Sequence, residues 1–497
     1  MTAVKLNKAF FPFAFIFFFN PSVYSKGTSQ IENNRNDSRT VIEGKIIDGS
    51  SDTVTLFFQK EFIYGYIGSE NYRQAGDSNG YFKFVLDIDH IAKIFLFLNG
   101  NSKVLFGNIY IQPGDVISAT ITKGAQGNTV FSGKGSEKFK CMYELDSTKR
   151  HLIRDGTFSY IPLYPRGNSI QDSLLCSFKS ADQYSNNYFK VLANYRHKIN
   201  PEIFELLSAD ITGELATSKC YLLSASLQHA SLKQKKEIYP VFFKHLYYLK
   251  DQFADSAAVY SNNYMEFLMR RLQIKLKLAS DNGNYLMKDM VMLIEKKYKG
   301  ILRDRLFTYY LLSPMIGVDD QEYEYCLKRS LAAMKSPVYK KYLEAQLTNL
   351  SEGSIAYNFS LPDSSGLYVS LSDFKGKIVL IDFWFTGCSS CIKLAKILEK
   401  EVIPRFNDST VKFVSICLDE DKSSWIKSIN RGLYTSGRSV NLFTESLGFD
   451  HPLVKNYNIQ GCPFLLLVDR EGRIASASPS WDAEKLCSQI TCAIKKK

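Results

Sequence analysis

The sequence lacks several features that would narrow its function to common classes. Outside the N-terminus it has no run of about 18 apolar residues, so no internal membrane-spanning helix is expected. Its ten cysteines are too dilute over 497 residues for a disulfide-stapled scaffold. Its six histidines form no metal-ligand pattern with the cysteines, so no metal site is expected. It also carries no nucleotide- or flavin-binding motif, and we therefore expect no cofactor.

The positive charge of the chain is spread along its length. The net charge is +12, but the lysines fall in separate clusters and do not interleave with aromatic residues in one stripe. This distribution indicates solvated lysine faces, and we expect no nucleic-acid partner. A hydrophobic content of 45% is sufficient to form real cores, and the length predicts two to four domains. Nothing in the sequence predicts an oligomeric state.

The first 25 residues have the features of a secretory signal peptide. Lys5 and Lys8 precede an apolar segment at 9–19, which is too short for an ordinary spanning helix. Small residues before the end of this region predict cleavage after Ser25. The alternative is an uncleaved N-terminal anchor, against which Pro12 argues weakly. The sequence thus predicts export to the periplasm or cell envelope.

The next two regions differ in their hydrophobic period. After a polar linker at 26–39, short strand patterns separated by turn residues predict a β-sandwich over 40–135. Helical periodicity then dominates, and we expect an α-helical domain over 136–350. The strand candidates are 41–47, 53–58, 81–86, 94–98 and 116–121, and the helix candidates are 240–253, 264–280, 285–298 and 321–335.

Strands and helices alternate in the C-terminal region, 352–497, which predicts an α/β fold. A hairpin signal at 470–472 joins the last two strands, so one sheet edge should be antiparallel. The strand candidates are 378–385, 411–418, 464–468 and 473–477, and the helix candidates are 390–405, 423–431 and 482–494.

The segment Cys388-Ser389-Ser390-Cys391 lies between a buried-strand pattern and an apolar-periodic helix. Two cysteines at this spacing can close a small disulfide. Unpaired N–H groups and the positive dipole end of the helix both favour a thiolate at the first cysteine. We therefore predict a reactive Cys388, with Cys391 behind it to resolve a mixed disulfide.

The segment around these cysteines resembles the active-site segment of thioredoxin-like proteins. Four further landmarks make the C-terminal region similar to the TlpA/ResA branch of extracytoplasmic thiol–disulfide oxidoreductases. The order of β-domain, helical region and thioredoxin-like domain resembles envelope proteins of Bacteroidetes. The resemblance implies a disulfide-bearing protein substrate, and such a reductase needs an electron donor, for which we expect a membrane thiol shuttle. The five landmark segments are 359–366, 371–377, 382–391, 457–463 and 469–472.

The resemblance implies roles for three catalytic residues. Cys388 matches the more exposed nucleophile, and Cys391 matches the shielded resolving thiol. Asp382 matches the buried acid that in thioredoxin assists proton transfer at the second cysteine. Burial should raise its pKa, which suits acid–base chemistry near neutral pH. The alternative is an aspartate at the end of a strand that pairs with a lysine.

Three further residues are candidates for substrate binding. Pro463 matches the cis-proline that faces the disulfide, and the backbone before it can pair with an extended substrate. Trp384 matches the aromatic residue that packs beside the disulfide. Cys462 stands where threonine or valine is more usual. It is either a small apolar filler or a third thiol that competes for the mixed disulfide or joins a metal site.

Two other functions remain open. A thiol peroxidase would use the same fold, but Thr386 and the absence of a matching proline do not fit the usual peroxidatic pattern. Alternatively, residues 40–350 form a binding scaffold that presents the redox domain to one partner. In that case the protein is an interaction module first and a general reductase second.

Overall fold

The computed structural model describes most of the chain. The predicted signal peptide, 1–25, and the predicted linker, 26–39, lie outside the described residues except for Arg39. The described ranges are 39–47, 53–63, 69–98, 103–122, 129–154, 169–228, 230–247, 253–280, 283–313, 318–406 and 409–496.

Among the described residues of the N-terminal region, eight strands form two four-stranded sheets, which confirms the β-sandwich. They are β1 (Thr40–Ile47), β2 (Thr53–Gln59), β3 (Ser69–Ala75), β4 (Tyr81–Leu86), β5 (Ala92–Leu98), β6 (Lys103–Ile111), β7 (Val116–Thr122) and β8 (Thr129–Lys134). The strand orders are β4-β1-β7-β8 and β3-β2-β5-β6. Along β4, Phe82, Phe84 and Leu86 are buried and the residues between them are exposed, because successive side chains point to opposite faces.

Three of these strands, β3, β6 and β8, had no counterpart among the sequence-based candidates. All three are edge strands. An edge strand has a hydrogen-bonded neighbour on one side only, and polar or charged side chains are common there. β3 illustrates this, since its sequence SENYRQA is polar and none of its side chains is fully buried.

Ten α-helices follow within the described residues: α1 (Ser136–Arg154), α2 (Ile170–Ala193), α3 (Pro201–Leu227), α4 (Leu232–Phe242), α5 (Asp255–Tyr260), α6 (Asn262–Ala279), α7 (Met287–Lys297), α8 (Gly300–Leu311), α9 (Asp320–Ala333) and α10 (Pro337–Leu350). The predictions at 264–280, 285–298 and 321–335 are confirmed to within a few residues. Among the described helices, none combines the length and the apolar character needed to cross a bilayer.

The helix predicted at 240–253 starts earlier than expected, and its residues 248–252 lie outside the described residues. α4 begins eight residues earlier, where the Ser231 hydroxyl accepts a hydrogen bond from the Gln234 backbone and the Gln234 side chain accepts one in return. This reciprocal cap fixes the helix start and outweighs the preference of Pro240 for a first turn. After Phe242 the chain continues as a π-helix, Phe243–Tyr247.

The sandwich and the first helices share one hydrophobic core. Residues from both sheets, such as Ile42 and Leu56, pack in the same buried cluster as Phe139 of α1, Leu192 of α2 and Ile203 of α3. A second cluster is built from α2 to α10. The strands are therefore held against the helical region by continuous apolar packing.

Gly213 allows α3 and α6 to approach closely, because a Cβ at this position would clash with backbone atoms of Asn263 and Tyr264. We expect Gly213→Ala to lower the free energy of unfolding by about 2 kcal/mol, since the backbones must move apart. Urea denaturation followed by far-ultraviolet circular dichroism measures this change. Gly437→Ala is the matched control, because a Cβ there meets open space. An equal stability of both variants would contradict the close-packing explanation.

The C-terminal region is an α/β domain around a five-stranded sheet, as expected for the thioredoxin-like fold. Its elements are β9 (Ser360–Pro362), β10 (Tyr368–Ser370), β11 (Ile378–Trp384), α11 (Ser389–Ile397), β12 (Val411–Cys417), α12 (Lys422–Asn430), β13 (Val440–Phe443), α13 (Pro452–Asn456), β14 (Phe464–Val468), β15 (Ile474–Ser476) and α14 (Ala483–Lys495). The strand order is β13-β12-β11-β14-β15. β11, β12 and β13 are parallel to one another. β14 runs antiparallel to both of its neighbours, β11 and β15, which confirms the predicted antiparallel edge.

The helix predicted at 390–405 contains three kinds of helical turn. The α-helical part ends at Ile397, and a π-helix, Leu398–Val402, and a 3-10 turn, Ile403–Arg405, complete the run. Pro404 has no backbone N–H, so the regular α-helical hydrogen bonding cannot continue through it.

The end of the helical region docks against the C-terminal domain. Leu350, the last residue of α10, belongs to the buried cluster of that domain. The Asn349 side chain donates to the Asn456 carbonyl at 2.8 Å, and the Ala477 N–H donates to Asp320 at 3.3 Å. The two regions are thus joined by both apolar and polar contacts.

Candidate active site

Cys388 and Cys391 lie where β11 passes into α11, and they form a disulfide. Cys388 is the N-cap residue of α11, and its Sγ accepts a hydrogen bond from the Cys391 N–H at 3.1 Å. Gly387 makes the preceding turn with a φ of 96°, which favours glycine. Cys388 is 6% exposed and Cys391 only 1%. Of the two sulfurs, Cys388 is therefore the one that an incoming molecule reaches first.

The peptide bond between Cys462 and Pro463 is cis, as predicted. The Cys462 carbonyl oxygen lies 3.5 Å from Cys388 Sγ, which confirms that this segment faces the disulfide. Both Cys462 and Pro463 are half-buried. Desolvation and the nearby carboxylates of Asp382 and Asp419 hold the pKa of the Cys462 thiol well above its usual range. The Cys462 side chain is therefore a protonated thiol at neutral pH and a poor nucleophile.

Trp384 is fully buried in the apolar cluster that contains the disulfide. Its Nε1–H donates to Ser415 Oγ at 2.8 Å, and its ring stacks on Tyr434 with a centroid distance of 4.9 Å. The predicted contact between Trp384 and a substrate remains a prediction, and the buried position of Trp384 argues against it. The geometry instead places Trp384 as a support for the disulfide.

Asp382 lies on β11 and is 6% exposed. Burial raises the pKa of this carboxyl to about 8. Its Oδ1 atom has no hydrogen-bond partner among the described residues, and the alternative pairing with a lysine is not found there. A carboxyl with a pKa near neutrality can both take and give a proton, which is the property that an acid–base group needs.

A polar network that was not predicted from the sequence holds the turn before Cys388. The Thr386 N–H and hydroxyl donate to the two carboxylate oxygens of Asp419 at 2.8 and 2.5 Å. The Tyr434 hydroxyl accepts the Gly387 N–H at 2.8 Å. One signal was available for Asp419, because it directly follows β12 and parallel strands end at the same sheet edge. Tyr434 lies in an irregular segment and has no comparable signal.

No three His, Cys, Asp or Glu side chains come together to hold a metal ion in the part of the chain that the structure describes.

Comparisons with known proteins agree on the C-terminal domain. Residues 376–474 match a family model described as thioredoxin-like. The thiol-disulfide oxidoreductase ResA of Bacillus subtilis is 29% identical over 155 residues, covering 30% of this chain and 78% of the relative. ResA of Geobacillus kaustophilus is 27% identical over 152 residues, which are 29% and 78% of the two chains.

Two solved structures are similar to part of this chain. The thioredoxin domain of a thiol-disulfide oxidoreductase from Bacteroides vulgatus is 30% identical and covers 30% of this chain and 100% of that one, with a TM-score of 0.26. A thiol:disulfide interchange protein from Bacteroides sp. is 31% identical and covers 30% and 92%, with a TM-score of 0.26.

The five-stranded sheet and the disulfide at the start of α11 define a thioredoxin-like protein. Through this domain the chain belongs to the TlpA/ResA-like family, and it is a thiol–disulfide oxidoreductase.

Proposed function

We propose that the protein reduces the disulfides of other proteins outside the cytoplasm, with Cys388 as nucleophile and Cys391 as resolving thiol. The observation that carries the proposal is the position of Cys388. It caps α11, is the more exposed sulfur of the pair and lies 3.5 Å from the Cys462 carbonyl. The Cys391 N–H and the helix dipole stabilise negative charge on its sulfur, which favours the thiolate once the disulfide is reduced.

The proposed reaction transfers two electrons through a mixed disulfide. The Cys388 thiolate attacks one sulfur of the substrate and expels the other as a thiolate. In the fraction of molecules whose Asp382 is ionised, Cys391 then loses its proton to this carboxylate and attacks Cys388, which releases the second substrate sulfur. The substrate is reduced, the Cys388–Cys391 disulfide is formed, and the proton from Cys391 rests on Asp382.

The segment around the cis bond is the proposed substrate site. An extended substrate would pair with the backbone at Cys462 and lie against Pro463, while Trp384 holds the disulfide from below. Cys462 and Pro463 are half-buried and therefore partly accessible. Backbone pairing suits a reductase with several substrates, because it does not depend on one substrate side chain.

The proposal places the chain in the periplasm or cell envelope. Support comes from Lys5, Lys8 and the apolar segment 9–19, which have the pattern of a signal peptide. The oxidised protein must be reduced again after each cycle, and a membrane thiol shuttle is the donor that fits this location. We propose that the exported chain consists of three domains, at 40–135, 136–350 and 352–497.

Insulin reduction by the full chain tests the proposal. With the protein in catalytic amount and dithiothreitol in excess over the insulin disulfides as electron source, we expect the wild-type chain to accelerate precipitation of the insulin B chain. Consumption of hydrogen peroxide without insulin reduction would instead support a thiol peroxidase. That alternative is disfavoured because the Thr386 hydroxyl is engaged with Asp419 and Ser428, not with Cys388.

The scaffold alternative is supported by the docking contacts of Asn349 and Asp320 with the redox domain. If residues 40–350 select one partner, insulin reduction should be slow while reduction of that partner is fast. Equal activity on unrelated disulfide proteins would favour the general reductase.

We expect Cys462→Ser to keep insulin reduction within about twofold of the wild-type rate. The thiol is held protonated by burial, so it does not take part in exchange. Mass spectrometry of both proteins after turnover should show the same disulfide, Cys388–Cys391. A mixed disulfide at Cys462 in the wild type would show instead that the third thiol reacts.

A further inference from the structure

A narrow cavity lies beside the buried carboxyl of Asp382. It is bounded by β11, α11, β12 and the segment that follows α12, and it contains about 10 Å³, the lower limit for a single water molecule. Its polar lining is a row of hydroxyl-bearing residues next to the acid. These are Ser415, Tyr434, Thr435, Ser436 and Ser439.

Two of these hydroxyls have a hydrogen available for donation. Ser415 is the direct neighbour of Asp382 across the β11–β12 pair, and its Oγ accepts the Nε1–H of Trp384. Ser436 Oγ accepts the Arg438 N–H at 3.2 Å. In each case the acceptor role of the oxygen is used, so the hydroxyl hydrogen can point elsewhere. The Asp382 Oδ1 atom, which lacks a partner among the described residues, is an acceptor at the inner end of the row.

The hydroxyl-bearing residues of the lining range from buried to half-buried. Ser415 is 3% exposed and Thr435 and Ser436 are 7% exposed, whereas Ser439 is half-buried and follows two exposed residues, Gly437 and Arg438. The wall on the side of α11 is apolar, formed by Ala395 of α11 and Leu398 of the π-helix that follows it. A proton leaving Asp382 on this side therefore meets hydroxyl groups only along the β12 side of the cavity.

We propose that Ser415, together with a water molecule in this cavity and the Ser436 hydroxyl, forms the route by which Asp382 exchanges its proton with solvent. The inference rests on the proposed function, in which Asp382 accepts one proton from Cys391 in each cycle. That proton must leave before the next cycle, and no electron moves in this step. The carboxyl O–H bond breaks, the hydroxyl row passes the proton outward, and solvent water accepts it. Ser415 is a positioning residue, since it acts through Asp382.

The groups that face this part of the site are mostly neutral. β12 contributes Ser415, the segment after α12 contributes the Tyr434 phenol, and the segment before β14 contributes the Cys462 thiol, whose pKa the Asp382 carboxylate helps to raise. Asp419 is the other carboxylate that acts on Cys462. No described cation lies close enough to hold Asp382 ionised.

Infrared spectroscopy of the oxidised full-length protein tests the route without any substrate. At a pH well below about 8, Asp382 carries its proton, and the C=O stretch of that carboxyl shifts when the proton is replaced by deuterium. Asp382→Asn identifies the band. The protein is mixed with D₂O and the rate of the shift is recorded for wild type, Ser415→Thr and Ser415→Val. Threonine and valine have nearly the same shape, but only threonine carries a hydroxyl.

We expect Ser415→Val to slow the exchange by about tenfold or more, because one hydrogen-bonded step is lost. Ser415→Thr should exchange at the wild-type rate. If Ser415→Val does not fold, Ser436→Ala removes a hydroxyl from the same cavity and should also slow exchange. Ser476→Ala, which removes an equally buried hydroxyl outside the cavity, should not.

Equal exchange rates in the threonine and valine variants would overturn the route. The route would also be overturned if no carboxyl band of the wild-type spectrum is lost in Asp382→Asn. Both results are independent of insulin reduction, so failure of the proton route and failure of the proposed function can be told apart.

Discussion

Replacing Cys388 by serine is expected to lower insulin reduction by the full chain by at least about a thousandfold, since the sulfur that attacks the substrate is lost. A serine hydroxyl at the start of α11 can still cap the helix, so the fold should be retained. The rate of insulin precipitation measures the loss. Residual activity near the wild-type level would mean that another sulfur is the nucleophile.

Cys391→Ser is the matched control for this prediction. It leaves Cys388 in place but removes the thiol that releases the product, so a mixed disulfide between Cys388 and the substrate should accumulate. Non-reducing electrophoresis and mass spectrometry detect that adduct. An adduct on Cys391 in the Cys388→Ser variant would reverse the two assigned roles.

Asp382→Asn is expected to raise the free energy of unfolding of the oxidised protein by on the order of 4 kcal/mol at neutral pH. The folded chain keeps the proton on Asp382 up to about pH 8, whereas the unfolded chain releases it near 3.8. Between these values the folded state binds the additional proton, so wild-type stability falls as the pH rises and levels off above about 8. Asparagine has nearly the same shape and no charge, so the free energy of unfolding of Asp382→Asn should not fall over this pH range.

Tryptophan fluorescence during urea denaturation measures this difference in the relevant domain. The three tryptophans of the chain, Trp384, Trp425 and Trp481, all lie in the C-terminal domain. Stability should be compared at several pH values between about 3 and 9, which spans the unfolded and folded pKa values of Asp382. Parallel curves for wild type and Asp382→Asn would contradict the raised pKa of Asp382.

The parts of the fold that could be predicted were those with a strong local signal. The five fully or alternately apolar strands of the sandwich and the strand before Cys388 were placed correctly, because burial on a sheet face imposes a short period. The edge strand β3 was not found because its sequence is polar, and β13 was not found because it is only four residues long. The start of α4 was missed, although the cap formed by Ser231 and Gln234 was readable.

The site divides in the same way. Cys388, Cys391, Asp382 and Pro463 belong to contiguous motifs, so their proximity could be expected from the sequence. Ser415 lies on β12, and two of the residues that hold the turn before Cys388, Asp419 and Tyr434, lie outside these motifs. Their contacts arise only when β12 and the segment after α12 are brought beside β11, and no short spacing in the sequence encodes that arrangement.

The way α10 ends has a practical consequence for dissecting the molecule. Leu350 is an integral part of the apolar interior of the C-terminal domain, and Asn349 ties the same helix to Asn456. A truncation just after Leu350 would remove this residue from the apolar interior and expose the apolar side chains around it to water. A longer fragment that begins at Pro337 would keep Leu350 but expose Tyr339 and Leu343, which pack in the core of the helical region, so a cut on either side of α10 opens one of the two cores.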